Sequence, residues 1–142
     1  MILKGLIKKE VTNLGKYYYS GVYFKDSQQT YEAGLVGYII VEEESGCTRF
    51  LRFHNTPVAS LLDRKDNLNL MLNFFQLILK GLRIKSALDL EILIDSVSGN
   101  LWLSPIKYFD SSTFESAKRN ILSGFNYLAC YVRNDYEQIQ VT

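Results

Sequence analysis

The sequence predicts an α+β fold in which an antiparallel sheet packs against two main helices. Three observations predict it. Segments rich in strand-favouring residues come first and are joined by short connections. Apolar residues then recur at helical spacing, and two later short strands precede a second helix. The predicted order is ββββ-α-ββ-α: an N-terminal four-strand meander, a later hairpin, and helices on one face of the sheet.

Four segments predict the meander: 2–11, 16–24, 34–43 and 47–54. Aromatic and β-branched residues, which favour strands, are concentrated in the second and third of them. Glu44-Ser45-Gly46 supplies a turn between the last two. These connections favour antiparallel neighbours, because parallel crossovers need a dozen or more residues.

Helical signals follow the meander. Thr56-Pro57 has the residues of a helix start, with Thr at the N-cap and Pro at the first helical position. The segment 66–82 then predicts a long helix, because its apolar residues recur at i, i+3, i+4 and i+7. Those residues are Leu68, Met71, Leu72, Phe75, Ile78, Leu79 and Leu82.

A hairpin is predicted next. Residues 88–95 place four aliphatic side chains on one face and mostly acidic ones on the other, as in a half-buried strand. The segment 96–100 has turn composition, and 101–103 forms the returning strand.

The last large element is a helix near 112–133. Ser112 and Glu115 have the spacing of a capping box, in which each side chain satisfies a backbone N–H at the helix start. Residues 137–141 predict a short terminal strand.

Length and composition predict one globular domain over residues 1–142 in the cytoplasm. The chain is 47% hydrophobic, which argues against disorder, and its net charge of +1 makes a nucleic-acid partner improbable. Cys47 and Cys130 are far apart and predict free thiols in a reducing compartment. No apolar run approaches the roughly 20 residues of a membrane span, so no membrane partner is expected.

No catalytic constellation is recognisable, so the sequence predicts that the protein is not an enzyme and has no cofactor. His54 is the only histidine. If 47–54 is a strand, Cys47 and His54 lie roughly 20 Å apart at about 3.3 Å per residue, beyond hydrogen-bond reach. We therefore predict neither catalytic residues nor a metal site.

Asp89, Glu91 and Asp95 form the best carboxylate cluster, because alternate residues of a strand share one face. A divalent ion prefers several converging oxygen ligands, whereas a solvated strand face has the same pattern without any ion. The solvated face is the preferred interpretation, and binding of an ion or contact with a partner protein are the alternatives.

Tyr17, Tyr19 and Tyr23 share one face of their predicted strand. If that face is the outer one, the row is an exposed aromatic stripe, and tyrosine is enriched among residues that dominate binding energy. The competing interpretation is half-burial, which tyrosine tolerates in strands.

The helix predicted over 66–82 carries a second apolar row, formed by Leu70, Phe74 and Leu77. A helix this apolar is covered on more than one side. Either the sheet and the last helix both cover it, or the row is a protein interface of a homodimer.

These observations favour a non-enzymatic protein-binding module that acts by occluding another protein. The leading hypothesis is a small cytosolic inhibitor or neutraliser of the immunity or antitoxin type. The alternatives are a dimeric secretion or assembly chaperone and, after it, a nucleic-acid-binding or small-ligand-binding domain.

Overall fold

An antiparallel sheet, to which the described residues contribute six strands, forms the centre of the fold in the computed structural model. The structure describes residues 14–24, 34–54, 65–97, 101–123 and 136–141. The strands are β1 (Gly15–Phe24), β2 (Gly34–Glu42), β3 (Cys47–Phe53), β4 (Leu101–Leu103), β5 (Lys107–Ser111) and β6 (Tyr136–Gln140). The helices of these residues are α1 (Lys65–Leu82), α2 (Ala87–Ser96) and α3 (Phe114–Ser123).

The α+β class and the antiparallel sheet are confirmed. The sheet order is β4-β1-β2-β3-β6, and β5 also pairs with β1. The strands predicted over 16–24, 34–43, 47–54 and 137–141 and the helix predicted over 66–82 are confirmed as β1, β2, β3, β6 and α1. The predicted strand 2–11 and the predicted helix start at Thr56-Pro57 lie outside the described residues.

The strand predicted over 88–95 is wrong, because this segment is the helix α2. Ser86 is its N-cap and accepts a hydrogen bond from the backbone N–H of Asp89. The Asp89 carboxylate in turn accepts one from the backbone N–H of Lys85, at 3.0 Å. Two side chains thus satisfy backbone N–H donors at the helix start. The strand-like alternation of the segment made this helix start difficult to recognise in the sequence.

Burial along α2 follows helical spacing. Leu90 and Leu93 are buried against the sheet, whereas Leu88 and Ile92 are exposed. In a segment of this length, apolar residues at every second position also fit a helix that buries only some of them. The acidic residues of α2 therefore do not line one strand face as predicted.

The border of the sheet beside β1 has two strands in line, β4 and β5. The predicted hairpin is therefore wrong in its pairing, and β5 is a strand that the sequence did not predict. Between the two strands, Ser104 continues the ladder. Its backbone N–H donates to the Gly21 carbonyl, and its hydroxyl accepts from the Gly21 N–H at 2.8 Å. The Ser20 hydroxyl donates to the Ser104 carbonyl at 2.6 Å.

The helix predicted over 112–133 is confirmed where the structure describes it, as α3; residues 124–133 lie outside the described residues. Its predicted cap is wrong by one residue. The Thr113 hydroxyl, not that of Ser112, accepts the N–H of Ser116 at 3.1 Å. Glu115 therefore does not hold the capping-box position that its spacing from Ser112 suggested.

Helices cover both faces of the sheet, whereas the sequence predicted one. Buried residues of α1 and α2 pack with one face of the strands, and those of α3 with the other. The first core comprises Val22, Phe24, Val36, Ile39, Val41, Phe50, Leu68, Leu72, Phe75, Leu79, Ile84, Leu90, Leu93, Leu101, Leu103, Ile139 and Val141. The second core comprises Tyr17, Leu35, Tyr38, Ile40, Leu51, Phe53, Ala117, Ile121 and Leu122.

A bulge in β2 sets which side chains enter each core. Val22 faces Gly37 while Tyr23 faces Leu35, so Val36 is an extra residue. Beyond the bulge the alternation is shifted by one position. Gly37 is required there, because a Cβ would overlap the backbone carbonyl oxygen of Leu51 on β3. The bulge therefore depends on a glycine for the close approach of two strands.

Candidate protein-interaction surfaces

The outer side of α1 exposes a row of large apolar residues. Leu70, Phe74 and Leu77 are 69%, 66% and 68% exposed. They lie opposite the residues by which α1 packs on the sheet. The described part of the last helix cannot cover them, because α3 lies on the other face of the sheet. The described part of the last helix therefore does not bury this row, and residues 124–133 lie outside the described residues.

Other large apolar side chains on α1 and α2 are exposed as well. The described residues expose ten large hydrophobic side chains, and seven of them lie on α1 and α2. We call these seven the helical apolar surface: Leu70, Phe74, Leu77, Ile78, Leu82, Leu88 and Ile92. Both helices pack against the same sheet face, so their outer sides point away from that face together.

The polar side of α1 is held by Arg52 of β3. This arginine is only 8% exposed and packs under the helix. Its Nη1 donates to the Asn73 Oδ1 and to the Gln76 Oε1, both at 2.5 Å. Its Nη2 donates to the backbone and side-chain oxygens of Asn69 at 3.3 Å. Burial lowers the pKa of Arg52, while the charge of Glu137 opposes that shift.

This arrangement fixes the rotation of α1 about its own axis. Asn69, Asn73 and Gln76 lie on one side of the helix and all bind the same guanidinium. Rotating α1 to bury Phe74 would remove these acceptors from a buried positive charge, which is costly. The apolar row is therefore held outward by polar contacts on the neighbouring flank of the helix.

The tyrosine row lies on the other face of the sheet. Tyr17, Tyr19 and Tyr23 share that face, as predicted, and all belong to the second core or pack against it. Tyr17 is 2% exposed, so it is not part of an exposed stripe. Its ring stacks on Phe109 of β5, which also packs edge-on against Tyr19.

Burial raises the pKa of each of these three tyrosines, and for Tyr17 the charge of Glu42 adds to the effect. The half-buried Tyr19 and Tyr23 retain some accessible surface. Partial exposure of the row is the outcome that half-burial predicts.

Tyr23 contacts an exposed indole side chain that was not among the predicted site residues. Its ring stacks on Trp102 of β4, with the ring centroids 4.6 Å apart. Trp102 is 42% exposed, between buried Leu101 and Leu103. The alternation of these three residues was the available signal, because an outward tryptophan on a sheet border is an interface residue type.

The predicted carboxylate cluster is dispersed by the helical conformation of α2. Asp89 caps the helix start, while Glu91 and Asp95 are exposed one turn apart. Among the residues that the structure describes, no group of three His, Cys, Asp or Glu side chains is placed to hold a metal ion. Whether these residues bind a partner stays a prediction.

Cys47 and His54 lie at opposite ends of β3, as predicted, since the strand begins at Cys47 and ends immediately before His54. His54 is exposed, and its Nε2 lies 4.0 Å from a carboxylate oxygen of Glu137 on β6. No helix of the described residues is both long and apolar enough to cross a membrane.

No family model matches this chain. No curated protein and no solved structure is significantly similar to it. Its function is therefore argued from the surfaces described above.

Proposed function

We propose that this protein is a non-enzymatic protein-binding module that contacts its partner through the helical apolar surface. The observation that supports the proposal is the concentration of exposed large hydrophobic residues on α1 and α2. Scattered exposed apolar residues are normal on a soluble protein, but a contiguous apolar patch indicates an interaction site.

The size of the surface agrees with such a role. Seven partly exposed aliphatic and phenyl side chains provide an apolar area on the order of 500 Å². A standard interface buries about 800 Å² on each partner, of which about 60% is apolar. The apolar share of one side of such an interface is therefore close to what α1 and α2 present.

The leading form of this function is a small cytoplasmic inhibitor or neutraliser, of the immunity or antitoxin type. Such a protein acts by occlusion and needs a complementary surface but no reacting group. A rigid surface favours tight binding, because little conformational freedom is lost when the partner docks. The Arg52 contacts that fix α1 supply this rigidity.

The second candidate is a dimeric secretion or assembly chaperone. The outward row of Leu70, Phe74 and Leu77 supports it, because such a row is suited to pairing with another helix. The two candidates differ in whether the apolar surface is occupied by a client protein or by a copy of the chain.

Site-specific photo-crosslinking in the native host tests the proposal. A photo-reactive amino acid replaces Leu88 on α2, and a matched control places it at Asn120, which is exposed on α3 across the sheet. We expect protein adducts from position 88 and not from position 120, identified by mass spectrometry. Failure to recover any protein adduct from position 88, including one with the chain itself, contradicts the proposed function.

A further inference from the structure

We infer that α1 pairs antiparallel with α1 of a second copy of this chain, so that the protein is a homodimer. This inference rests on the proposed function and names the occupant of one part of the helical apolar surface. It is carried by four outward positions of α1: Leu70, Phe74, Leu77 and Gly81.

The spacing of these positions is that of a helix–helix seam. Steps of four, three and four residues keep a row on one side of an α-helix, as at the core positions of a coiled coil. The first three positions carry large side chains that are each about two thirds exposed. Ile78 and Leu82 widen the exposed apolar side of α1 along one flank of this row. The regular spacing of the row itself suits one opposing helix.

Gly81 is the residue that the isolated chain does not explain. A Cβ at this position would meet no atom of the described residues within 4 Å, so none of those residues requires glycine there. Glycine inside a helix is less favourable than alanine by about 1 kcal/mol. It does not supply the left-handed residue that follows the helix either, because that residue is Arg83, with φ 51°. Close approach of a second helix explains why position 81 is glycine.

The seam is symmetric about its own midpoint, between Phe75 and Gln76. An antiparallel second copy related by a two-fold axis through this point places Leu70 opposite Gly81 of the second copy. It places Phe74 opposite Leu77 of the second copy. Phe74 and Leu77 then pack against each other across the seam, and Leu70 occupies the space left by the glycine of the second copy. Both copies use the same surface, so the interface is isologous.

The area of the surface suits this occupant. The helical apolar surface provides an apolar area on the order of 500 Å², close to the apolar share of one side of a standard interface. The α1 row contributes the part of it that lies on Leu70, Phe74 and Leu77. A two-fold dimer uses the same patch on both partners, so no other surface of the chain has to be complementary to it. A second copy therefore satisfies the whole row without any further assumption about shape.

The first experiment measures the association of the purified full chain by sedimentation equilibrium over a range of concentrations. We expect a monomer–dimer equilibrium. Phe74→Glu should raise the dimer dissociation constant about 30-fold or more, since it places a charge at the centre of the seam. Leu70→Glu is a second variant, and Asn120→Glu on α3 is the control that should leave association unchanged. All three positions are exposed, and far-ultraviolet circular dichroism verifies that each variant is folded.

Gly81→Ala separates the pairing from simple helix stability. Alanine should stabilise the helix of the monomer, because of its higher helix propensity, and still weaken the dimer. An increase in dimer affinity together with monomer stability would contradict close approach at this position.

Disulfide trapping tests the antiparallel register. Chains with Leu70→Cys and chains with Gly81→Cys, each also carrying Cys47→Ser and Cys130→Ser, are mixed and oxidised. We expect the mixed disulfide between the two variants to predominate. Predominant linkage of identical chains would overturn the antiparallel arrangement.

The outcomes also distinguish this inference from the proposed function. A wild-type chain that stays monomeric, or a dimer that Phe74→Glu leaves intact, overturns the inference. If position 88 nevertheless crosslinks to another protein in the host, the proposed function stands. If neither self-association nor any adduct is found, both fail.

Discussion

Arg52 binds the polar side of α1 and thereby determines which side of the helix faces outward. Its guanidinium is buried beneath the helix and is satisfied by amide oxygens, so a charge on the sheet dictates which side of the helix can face outward. The polar side of α1 is more than a solvated face. Three of its residues, Asn69, Asn73 and Gln76, accept hydrogen bonds from the Arg52 side chain.

Gln76→Ala should therefore destabilise the protein by about 1.5 kcal/mol, the scale of a hydrogen bond to a charged group. In an Arg52→Met background the same change should cost less than about 0.5 kcal/mol, because no buried charge loses an acceptor. Urea denaturation of the four variants of this cycle measures the coupling. Asn120→Ala, an exposed amide elsewhere, is the control. An equal cost of Gln76→Ala in both backgrounds would show that Arg52 is not its partner.

The buried tyrosines predict a loss of stability at high pH. Burial raises the pKa of Tyr38 above its usual value, and the nearby Tyr23 and Tyr19 add to this. Between about pH 10, where a tyrosine of the unfolded chain ionises, and its folded pKa, the folded state holds more protons. Stability from this group is therefore complete below about pH 10 and falls as pH rises above it.

The free energy of unfolding, measured against pH, should decline above about pH 10, and phenolate absorbance should appear later in the native chain than in denaturant. Tyr38→Phe should make the decline shallower, since it removes one buried ionisable group. An unchanged slope in this variant would assign the decline to other groups.

Side chains cap the starts of both α2 and α3. The cap of α2 was not predicted, and that of α3 was predicted one residue too early. At α3, Thr113 occupies the N-cap position one residue after the predicted Ser112. At α2, Ser86 and Asp89 satisfy backbone donors around a segment that alternates like a strand. Helix starts are thus decided by which hydroxyl meets which N–H, and adjacent hydroxyl residues give the sequence no way to choose.

Thr113→Ala should cost about 1 kcal/mol of stability, as loss of an N-cap usually does. Ser112→Ala, at the neighbouring exposed position, should change stability by less than about 0.5 kcal/mol. Chemical denaturation of the two single variants gives the comparison. The reverse order of costs would restore the predicted cap.

The sequence predicted β1, β2, β3, α1 and β6 because each has a clear periodicity and turn residues at its ends. It could not predict β5, whose residues Lys107–Ser111 alternate only weakly. It could not assign the covered face of β1 either. Tyr17 and Val22 lie on opposite faces and are both buried, so the local pattern is apolar on both sides.

The candidate surface was predicted in part. Leu70, Phe74 and Leu77 were recognisable as a second apolar row, but their exposure depended on where the last helix packs. That is a long-range property, because α3 reaches the far face through β5 and the border beside β1. Gly81 could not be recognised, because a single glycine has no pattern of its own. Trp102 could be recognised only from its alternation with Leu101 and Leu103.

The molecule has three layers, with helices on both faces of the sheet and one helix presenting an apolar outer side. If α1 pairs with a second copy, folding and association are linked, and stability depends on concentration. The thermal unfolding midpoint of the wild-type chain should rise as protein concentration increases, whereas that of Phe74→Glu should stay constant. Differential scanning calorimetry over a wide range of concentrations measures both, and a wild-type midpoint that does not move would contradict the linkage.

The way the sheet is completed has a consequence for synthesis. β1, β2 and β3 are consecutive and pair locally, whereas both borders of this trio are closed by strands that follow α1 in the chain. During translation the outer backbone N–H and C=O groups of β1 and β3 therefore have no strand partner until β4, β5 and β6 have been synthesised. During that interval two bare strand edges are open to mispairing with other nascent chains. We therefore expect the yield of correctly formed protein to depend on how soon the later strands arrive.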